Sequence, residues 1–574
     1  MNYTRNMKAP RLLIVGLDAA TFDLICPWIA EGKLPNLAAL MKTGAWGRLA
    51  SILPPFTPPA WTAFMTGKNP GKHGIFDFLG ARPGTYELTY LNGASRRAKT
   101  IWRMLSDAGY TVGTMNIPFT YPPEHLNGFQ ISGMDTPSEK SPFVYPPELR
   151  SELVNLLGRF QLDLRYLGYM STDPRREQVL AEMDKLDHQW LSASLYLMEK
   201  HPADVMMFTF MSIDTVQHHF WHYMDPTHYL HNPAAVERFG DAVLRVYQRL
   251  DEAVGQMLQK TSSDTSVLVV SDHGGGPTSD RVVYLNRYLA QLGLLHYHKD
   301  ERSALKKLTP KIVRGSYTLL RSTLSSRQKS FLARTLPGLR KSFESAVTSF
   351  NEIDWTRTKA YCSEKLAATP SIWVNLKGVK PRGIVEQSEY EPLLKLISDK
   401  LKELKDPRTD EPVIKRILRR EEIFHGPYVN EAADLILDWW ETSHFSTSHS
   451  FPEDMLRPAV EILERRPSTG SEWGGTHRRD GILIAHGKSF KKDAEIQGAR
   501  LIDMAPTILY LMGQPVPEDM DGRVLEELFE PAFIAANRVQ VGGSAGLDAE
   551  QGAQYSDEEA AIVEERLKGL GYIE

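Results

Sequence analysis

The chain has 574 residues, with 67 Lys and Arg against 71 Asp and Glu, a formal net charge of -4 and 42% hydrophobic residues. This balance excludes an intrinsically disordered chain, a fibrous repeat and a histone-like basic protein. The two cysteines, Cys26 and Cys362, lie too far apart in sequence for a disulfide framework or a cysteine zinc site. A polar N-terminus followed by only a short apolar run favours a cytoplasmic protein, with peripheral membrane association left open.

The first apolar run, 11–18, ends on an acid and has the pattern of a strand buried on both faces. Similar runs end at Asp214 and at Asp272, and another spans 481–485. Between the second and third runs, apolar residues from Val236 to Met257 recur every three or four positions, which predicts a helix. The alternation predicts an α/β fold with a doubly wound, mainly parallel sheet flanked by helices, and inserted cap or lid segments.

Four parts of the chain are predicted. They are a catalytic core at 1–295 and 466–540 with an insertion at about 79–200, a basic helical insertion at 296–350, an α/β insertion or cap at 351–465, and a peripheral acidic tail at 541–574. Helices are predicted within these parts at 100–108, 147–157, 389–404 and 556–567.

Carboxylates follow three of the predicted strands, at Asp18, Asp214 and Asp272. In doubly wound sheets, functional residues collect beyond the carboxyl ends of the strands. Any one of these acids could instead cap the loop or helix that follows it. Three of them together favour a shared site.

Histidines accompany these acids. His218 lies four residues after Asp214, on the same face of a predicted helix, and His273 follows Asp272 in a glycine-rich turn. His477 directly precedes the strand at 481–485. Three Asp and three His without cysteine suit two divalent ions, Zn²⁺ first and Mn²⁺ as the alternative. The competing interpretation places His218 in a histidine-rich patch on a helix surface.

Thr57 is the candidate nucleophile. Its position before Pro58 predicts a helix N-cap with proline at the first helical position. A hydroxyl there lies at the positive end of the helix dipole, where backbone N–H groups can bind a phosphoryl oxygen. An adjacent metal ion would hold the alkoxide at neutral pH. The alternative is a cap with a purely structural role.

Taken in order, these residues resemble the alkaline phosphatase superfamily, specifically its type I phosphodiesterase/nucleotide pyrophosphatase-like branch. The resemblance is carried by motifs at Gly16–Asp18, 57–61, 66–75, Asp214-x-x-x-His218, 271–274, 476–477, 503–513 and 520–523.

The resemblance implies a role for each site residue. Asp214, His218 and His477 would hold one ion, and Asp18, Asp272, His273 and the Thr57 oxygen would hold the other. Thr57 would attack phosphorus in line, and water activated at the first ion would hydrolyse the phosphothreonine. The expected substrates are phosphodiesters or nucleotide-type pyrophosphates of a small molecule, lipid or glycan.

Two departures from related patterns bear on substrate choice. Nucleotide pyrophosphatases similar to this chain place an Asn soon after the His-Gly-Ile motif to bind a phosphoryl oxygen, and here the sequence is Gly74-Ile-Phe-Asp-Phe78, in which Asp77 is a poor anion binder. Neither Cys26 nor Cys362 lies in the motif that sulfatases convert to formylglycine. Sulfate ester hydrolysis is therefore disfavoured.

Two other functions stay open at this point. The first is a phosphotransferase or phosphomutase, in which the phosphoryl group passes from Thr57 to a hydroxyl. Cofactor-independent phosphoglycerate mutases share the superfamily fold but use a Ser nucleophile, which weakens that option. The second is a non-catalytic binding protein on this fold, although the presence of all six ligands and the hydroxyl does not favour it.

Residues 299–341 carry twelve Lys or Arg and two acids, a net charge of +10 that leaves -14 for the remainder. Their patchy amphipathic pattern fits three roles: a lid over an anionic substrate, a contact with an anionic membrane or nucleic acid, or a solvated helical face.

Overall fold

The computed structural model describes residues 9–82, 84–162, 164, 170, 172–298, 350, 352–364, 371–414, 416–438, 445–470, 472–546 and 554–570. The basic stretch 299–341, and with it most of the predicted insertion 296–350, lies outside these residues. Within them, no helix combines the length and apolar character needed to cross a membrane.

The strands are β1 (Leu12–Leu17), β2 (Ala45–Ala50), β3 (Leu79–Ala81), β4 (Leu88–Tyr90), β5 (Val112–Ile117), β6 (Gly128–Ser132), β7 (Val144–Tyr145), β8 (Val205–Phe210), β9 (Ser266–Val270), β10 (Gly274–Pro277), β11 (Arg281–Val283), β12 (Ala360–Cys362), β13 (Ser371–Val374), β14 (Arg416–Arg419), β15 (Leu435–Asp438), β16 (Ser446–Thr447), β17 (Val460–Ile462), β18 (Gly475–Arg478), β19 (Asp480–His486), β20 (Ala494–Glu495) and β21 (Ala499–Arg500). The helices are α1 (Phe22–Ala30), α2 (Pro35–Thr43), α3 (Thr57–Thr66), α4 (Pro70–His73), α5 (Ile101–Asp107), α6 (Leu149–Leu157), α7 (Asp173–Lys200), α8 (Ser212–Met224), α9 (Val236–Phe239), α10 (Ala242–Leu258), α11 (Leu285–Gln291), α12 (Gln387–Lys402), α13 (Arg420–Ile423), α14 (Met504–Leu511), α15 (Pro531–Ala536) and α16 (Asp557–Leu570).

A large central sheet organises the described part of the chain. Its strands run in the order β20-β2-β19-β9-β1-β8-β5-β6-β7, with β21 also paired to β2. The pairs β9–β1, β1–β8, β8–β5 and β5–β6 are parallel. Leu13 and Val15 of β1 pack into the apolar core on one side of the sheet, and Leu12 and Ile14 into the core on the other. The predicted α/β fold with a doubly wound, mainly parallel sheet is confirmed.

The direction of β19 explains how the segment before it reaches the carboxyl ends of the parallel strands. This strand is antiparallel to β9, with Leu483 opposite Val270. Its beginning therefore lies at the sheet edge where the neighbouring parallel strands end. The segment that precedes β19, and carries His477, reaches that edge for this reason.

The range 79–200, predicted as an insertion, also builds the central sheet. Strands β5, β6 and β7 all fall within it, and β5 pairs directly with β8. The Pro and Gly residues that suggested an added segment mark connections between core elements. The range is thus part of the core in this structure, and its long helix α7 packs into the main apolar cluster.

The predicted helix from Val236 to Met257 is divided in two. Helix α9 ends at Phe239 and α10 begins at Ala242, because Gly240, a poor helix former, stands between them. The predicted helices near 100–108, 147–157 and 389–404 correspond to α5, α6 and α12.

Two later parts of the chain pack against this core. Within 351–465, β12, β13, β15 and β14 form a four-stranded antiparallel sheet that shares an apolar cluster with α12. The predicted C-terminal helix exists as α16, but it is not peripheral. Val563 and Leu567 are buried in the main core cluster, so the acidic tail ends in a docked element.

Candidate active site

Thr57 is the first residue of α3, and Phe56, in extended conformation, occupies the cap position. The predicted N-cap thus lies one residue earlier. Residues 58 and 59 are prolines without N–H groups, and the N–H of Ala60 donates to the Phe56 carbonyl. The helix start therefore offers fewer backbone donors to an anion than predicted, essentially the N–H of Thr57 itself. The Thr57 side chain is fully buried.

Asp18 and Asp272 follow the adjacent parallel strands β1 and β9. The indole N–H of Trp61 donates to Asp18 Oδ2 at 2.8 Å, and the N–H of Ala19 lies 3.5 Å from Asp272 Oδ1. Ala19, directly after Asp18, has φ +61°. This left-handed conformation turns the chain sharply at the end of β1. Both carboxylates are fully buried, as the strand-end pattern predicted for a shared site.

A short antiparallel ladder brings two histidines together. Strand β10 follows His273 and pairs with β18, so that Gly275 lies opposite His477. The rings of His273 and His477 stack with their centroids 3.8 Å apart. Two residues separated by about 200 positions in sequence thereby face the same space.

Helix α8 supplies the remaining pair. His218 Nε2 lies 3.1 Å from Asp214 Oδ1, as the four-residue spacing predicted. His218 Nε2 is also 3.1 Å from His477 Nε2, which is 3.4 Å from Asp214 Oδ1. Both side chains are buried, so the alternative that places His218 in a surface patch is wrong.

All three histidines present the same nitrogen to the site. The Nδ1 atoms of His218, His273 and His477 lie 2.8, 3.0 and 2.9 Å from the carbonyl oxygens of Gly475, Gly274 and Pro55. A carbonyl only accepts, so each Nδ1 carries a proton, and each Nε2 has a lone pair to offer when its ring is neutral. This orientation is typical of histidines that ligate metal.

The ligand atoms fall into two overlapping groups in the described part of the chain. Asp214, His273 and His477 form one group, and Asp18, Asp272 and His273 form the other, with the atoms of each group within 4.8 Å of one another. His273 Nε2 is 3.4 Å from Asp272 Oδ2 and 3.7 Å from Asp18 Oδ1. Thr57 Oγ1 lies 3.4 Å from the same nitrogen. The structure thus brings all seven predicted site residues together.

Buried atoms without partners fit the presence of cations. Asp18 Oδ1 and Asp272 Oδ2 have no hydrogen-bond partner among the described residues. Burial raises the pKa of both carboxyls well above the ordinary value, and repulsion from neighbouring carboxylates adds to the rise: from Asp272 and then Asp214 for Asp18, and from Asp214 for Asp272. Burial opposes ionisation of Asp214 as well, yet His218 and His477 hold its pKa well below the ordinary value. A mixed N/O donor set with orphaned carboxylate oxygens suits Zn²⁺ or Mn²⁺.

The histidine-rich patch divides into two kinds of residue. His219 and His222 are buried beside His218, and burial lowers the pKa of each to about 3. His219 Nε2 and both ring nitrogens of His222 have no hydrogen-bond partner among the described residues, whereas His218 Nε2 lies 3.1 Å from Asp214 Oδ1. Only His218 of this patch faces the site.

Several residues of the sequence motifs form ion pairs and hydrogen bonds outside the candidate site. Lys68 pairs with Asp519, and Lys72 pairs with Asp521, which also accepts from the backbone and side-chain amides of Asn69. The 66–75 and 520–523 motifs therefore join the end of α3 to the C-terminal part of the core. Asp77 accepts from the N–H of Phe78 at 2.6 Å, in keeping with the view that it is not an anion binder.

Sequence reasoning missed Trp61 and the three carbonyls. Trp61 lies four residues after Thr57, one turn along α3, and this spacing predicts that both side chains face the same site. The carbonyls of residues 55, 274 and 475 have no side-chain signature, so only the fold reveals them.

Comparisons with known proteins assign the chain to a family. Residues 12–336 match the sequence profile described as type I phosphodiesterase / nucleotide pyrophosphatase. A 40-residue segment is 60% identical to a 2,3-bisphosphoglycerate-independent phosphoglycerate mutase of Shewanella pealeana; it covers 7% of this chain and only 8% of that protein's length.

Solved structures that match most of this chain share little sequence with it. Human ectonucleotide pyrophosphatase / phosphodiesterase 5 is 12% identical, with 90% of this chain and 99% of that chain covered and a TM-score of 0.46. Phosphonoacetate hydrolase from Sinorhizobium meliloti, solved with phosphonoacetate, is 15% identical, with 88% and 97% covered and a TM-score of 0.49. The family profile covers more than half of the chain, and the protein therefore belongs to the type I phosphodiesterase / nucleotide pyrophosphatase family.

Proposed function

We propose that this chain is a metal-dependent phosphoester hydrolase in which Thr57 is the nucleophile. Its substrates are phosphodiesters or nucleotide-type pyrophosphates. One observation carries the proposal: three carboxylates and three histidines converge at the carboxyl edge of the sheet, where His273 Nε2 lies 3.4 Å from Thr57 Oγ1. Membership of a family named for these reactions supports it.

Six residues would hold two divalent ions, Zn²⁺ or alternatively Mn²⁺. Asp214, His218 and His477 would hold one, and Asp18, Asp272 and His273, with the Thr57 oxygen, the other. When bound, the ions supply positive charge that lowers the pKa of a neighbouring hydroxyl and stabilises the phosphoryl oxygens.

The residues of the chain then have defined tasks. The start of α3 fixes the Thr57 hydroxyl, and the Trp61 N–H fixes the Asp18 carboxylate. Thr57 Oγ1 forms a bond to phosphorus as the bond to the leaving-group oxygen breaks on the opposite side. Water then cleaves the phosphothreonine, which releases phosphate or a phosphomonoester and restores the hydroxyl.

Phosphotransfer is the second candidate, because the short matched segment belongs to a phosphoglycerate mutase. In that reaction an acceptor hydroxyl, instead of water, takes the phosphoryl group from Thr57. Product analysis with an added alcohol or hydroxy acid separates the two functions. An organic phosphate accumulating in proportion to the acceptor would favour transfer.

The experiment compares two threonines of α3. Metal-reconstituted wild type, Thr57→Ala and Thr62→Ala are assayed on bis-p-nitrophenyl phosphate and p-nitrophenyl phosphate. Thr62 is a matched control, since it is fully buried one turn further along and donates to the Pro58 carbonyl. We expect Thr57→Ala to lose at least about 1,000-fold in kcat, because it lacks the attacking oxygen. Thr62→Ala should keep most of the activity.

Two results would contradict the proposal. One is a wild type that hydrolyses no phosphoester tried and retains no metal ion, which would favour the binding-protein alternative. The other is a Thr57→Ala variant as active as Thr62→Ala, which would remove Thr57 from the reaction while leaving a hydrolase.

A further inference from the structure

The first turn of α8 is anchored from outside the helix. Its first residue, Ser212, lies two positions before Asp214 and six before His218. The cap position is occupied by Met211, whose side chain makes no capping hydrogen bond. The Ser212 hydroxyl instead donates to the Asp187 carboxylate on α7, 2.7 and 2.8 Å from its two oxygens.

Asp187 is itself held by a third helix. The Nε and Nη2 groups of Arg249, on α10, donate to Asp187 Oδ2 at 2.8 and 2.6 Å. The Asp187 side chain is 3% exposed and that of Arg249 is 17% exposed. A charge-assisted contact in such an environment is directional and costly to break. The chain Arg249–Asp187–Ser212 thus ties α7, α8 and α10 together at one point.

Packing alone restrains this turn incompletely. A cavity of about 20 Å³, about the space of one water molecule, lies between α7 and the start of α8. Met211, Ser212 and Thr215 form its wall on the α8 side, and Met183 and Asp187 form part of the α7 side. Since side chains do not fill this space, the hydrogen bond to Asp187 adds a directional restraint that packing at this wall does not supply.

We propose that Arg249, Asp187 and Ser212 form a positioning relay that fixes the metal-binding turn of α8. The proposal rests on the proposed function, because it assigns the relay to the ion held by Asp214, His218 and His477. Ser212 and Asp187 are positioning residues, since neither belongs to the ligand groups. The site around Asp18 and Asp272 is built on β1 and β9 and does not depend on the relay.

The test is a titration of metal-free protein with Zn²⁺ against a competing chelator. The wild type should bind two ions, and Asp214→Ala identifies which binding event belongs to the α8 site. We expect Ser212→Ala to weaken that event about 10- to 100-fold, the range measured for partners outside the ligand shell. The other event should be unchanged.

Ser194→Ala is the matched control. Ser194 is a fully buried serine of α7 whose hydroxyl donates to the Trp190 carbonyl within the same helix. Both variants lose one buried hydroxyl. Ser212→Ala should lose more stability, because its hydroxyl bonds a buried carboxylate, but only Ser212→Ala should lose Zn²⁺ affinity at the α8 site. Ser212→Thr, which keeps a hydroxyl, should restore most of it.

Arg249→Lys provides a second variant should Ser212→Ala unfold. It keeps the charge beside Asp187 but loses the paired N–H groups, and we expect a smaller weakening at the same event. The relay is wrong if the wild type binds two ions and Ser212→Ala binds both with unchanged affinity, or if Ser194→Ala weakens binding equally. A wild type that binds no Zn²⁺ and hydrolyses no phosphoester instead overturns the proposed function, and the relay with it.

Discussion

Glu472 accepts several hydrogen bonds from the segment that precedes His477. Its carboxylate accepts from Arg466 at 2.7 Å, from the Ser468 hydroxyl at 2.9 Å, and from the hydroxyl and N–H of Thr469 at 3.0 Å each. Burial opposes its ionisation, but these donors hold its pKa at about 2. The Glu472 side chain thus stabilises the turn before β18.

A pH prediction follows from the sign of this shift. Because the folded pKa lies below the unfolded value near 4.5, the carboxylate stabilises the fold above about pH 4.5, and this contribution is lost as pH falls towards 2. We expect Glu472→Gln to lower the free energy of unfolding by about 1 kcal/mol at pH 7, allowing for solvent screening of a partly open group. Urea unfolding should show a smaller difference at pH 3.

The control is Glu464→Gln, at an exposed carboxylate in the preceding segment. It should change the free energy of unfolding by less than about 0.5 kcal/mol at any of these pH values. A difference between wild type and Glu472→Gln that grows as pH falls would have the wrong sign for a depressed pKa and would contradict the assignment.

The sequence was sufficient to predict the side chains of the candidate site, but not the backbone groups that orient them. Asp18, Asp214 and Asp272 were predictable because buried strands that end on acids have a recognisable pattern, and His218 because four-residue spacing defines a helix face. The carbonyls that orient the histidines, such as that of Pro55, depend on how distant segments cross. No residue type at position 55 announces that contact.

At the scale of elements, β18 lies directly against α8. A Cβ added at Gly475 would come 2.3 Å from the Gln217 carbonyl oxygen, a backbone atom that cannot move aside. We expect Gly475→Ala to push β18 away from α8, lower the free energy of unfolding by about 1–3 kcal/mol and weaken Zn²⁺ binding by the pair His218 and His477. Urea unfolding and Zn²⁺ titration measure the two effects.

Gly542→Ala is the matched control, because a Cβ there would meet open space and the residue does not have a positive φ. It should behave as wild type in both measurements. If Gly475→Ala also behaved as wild type, the close approach of β18 to α8 would not be what places His477.

Element types were predictable and their exact bounds and directions were not. Apolar runs predicted β1, β8 and β9, and apolar periodicity predicted α10, since both patterns follow from burial. The antiparallel course of β19 depends on the whole connection through 351–465, which no local pattern encodes. The start of α3 moved by one residue because proline fits either of the first helical positions.

At the scale of the whole molecule, the C-terminal helix α16 packs against the core. Tyr555 stacks on Tyr121, and the Arg566 guanidinium donates to the carbonyls of Met134 and Pro137. The Gly-rich and acidic composition of 541–574 predicted a peripheral tail. The burial of apolar side chains in α16 shows that a sparse apolar face is enough when a prepared surface receives it.

Leu567→Ala should therefore destabilise the full-length protein. Leu567 is buried in the main core cluster, and the loss of such a side chain costs about 2–5 kcal/mol in the free energy of unfolding. Ile562→Ala, in the same helix at an exposed position, should cost less than about 1 kcal/mol. Equal effects of the two variants in urea unfolding would show that α16 does not dock as described.

The pairing of β10 with β18 sets an order of events during synthesis. When the ribosome has added residue 273, the chain already holds Asp18, Thr57, Asp214, His218, Asp272 and His273, but His477 is still about 200 residues from being made. The Asp214 ligand set is completed only after the 351–465 segment has been translated and β18 has joined β10. A chain that stopped before β18 would hold Asp18, Asp272 and His273, the proposed ligands of one ion, but would lack His477, a proposed ligand of the other.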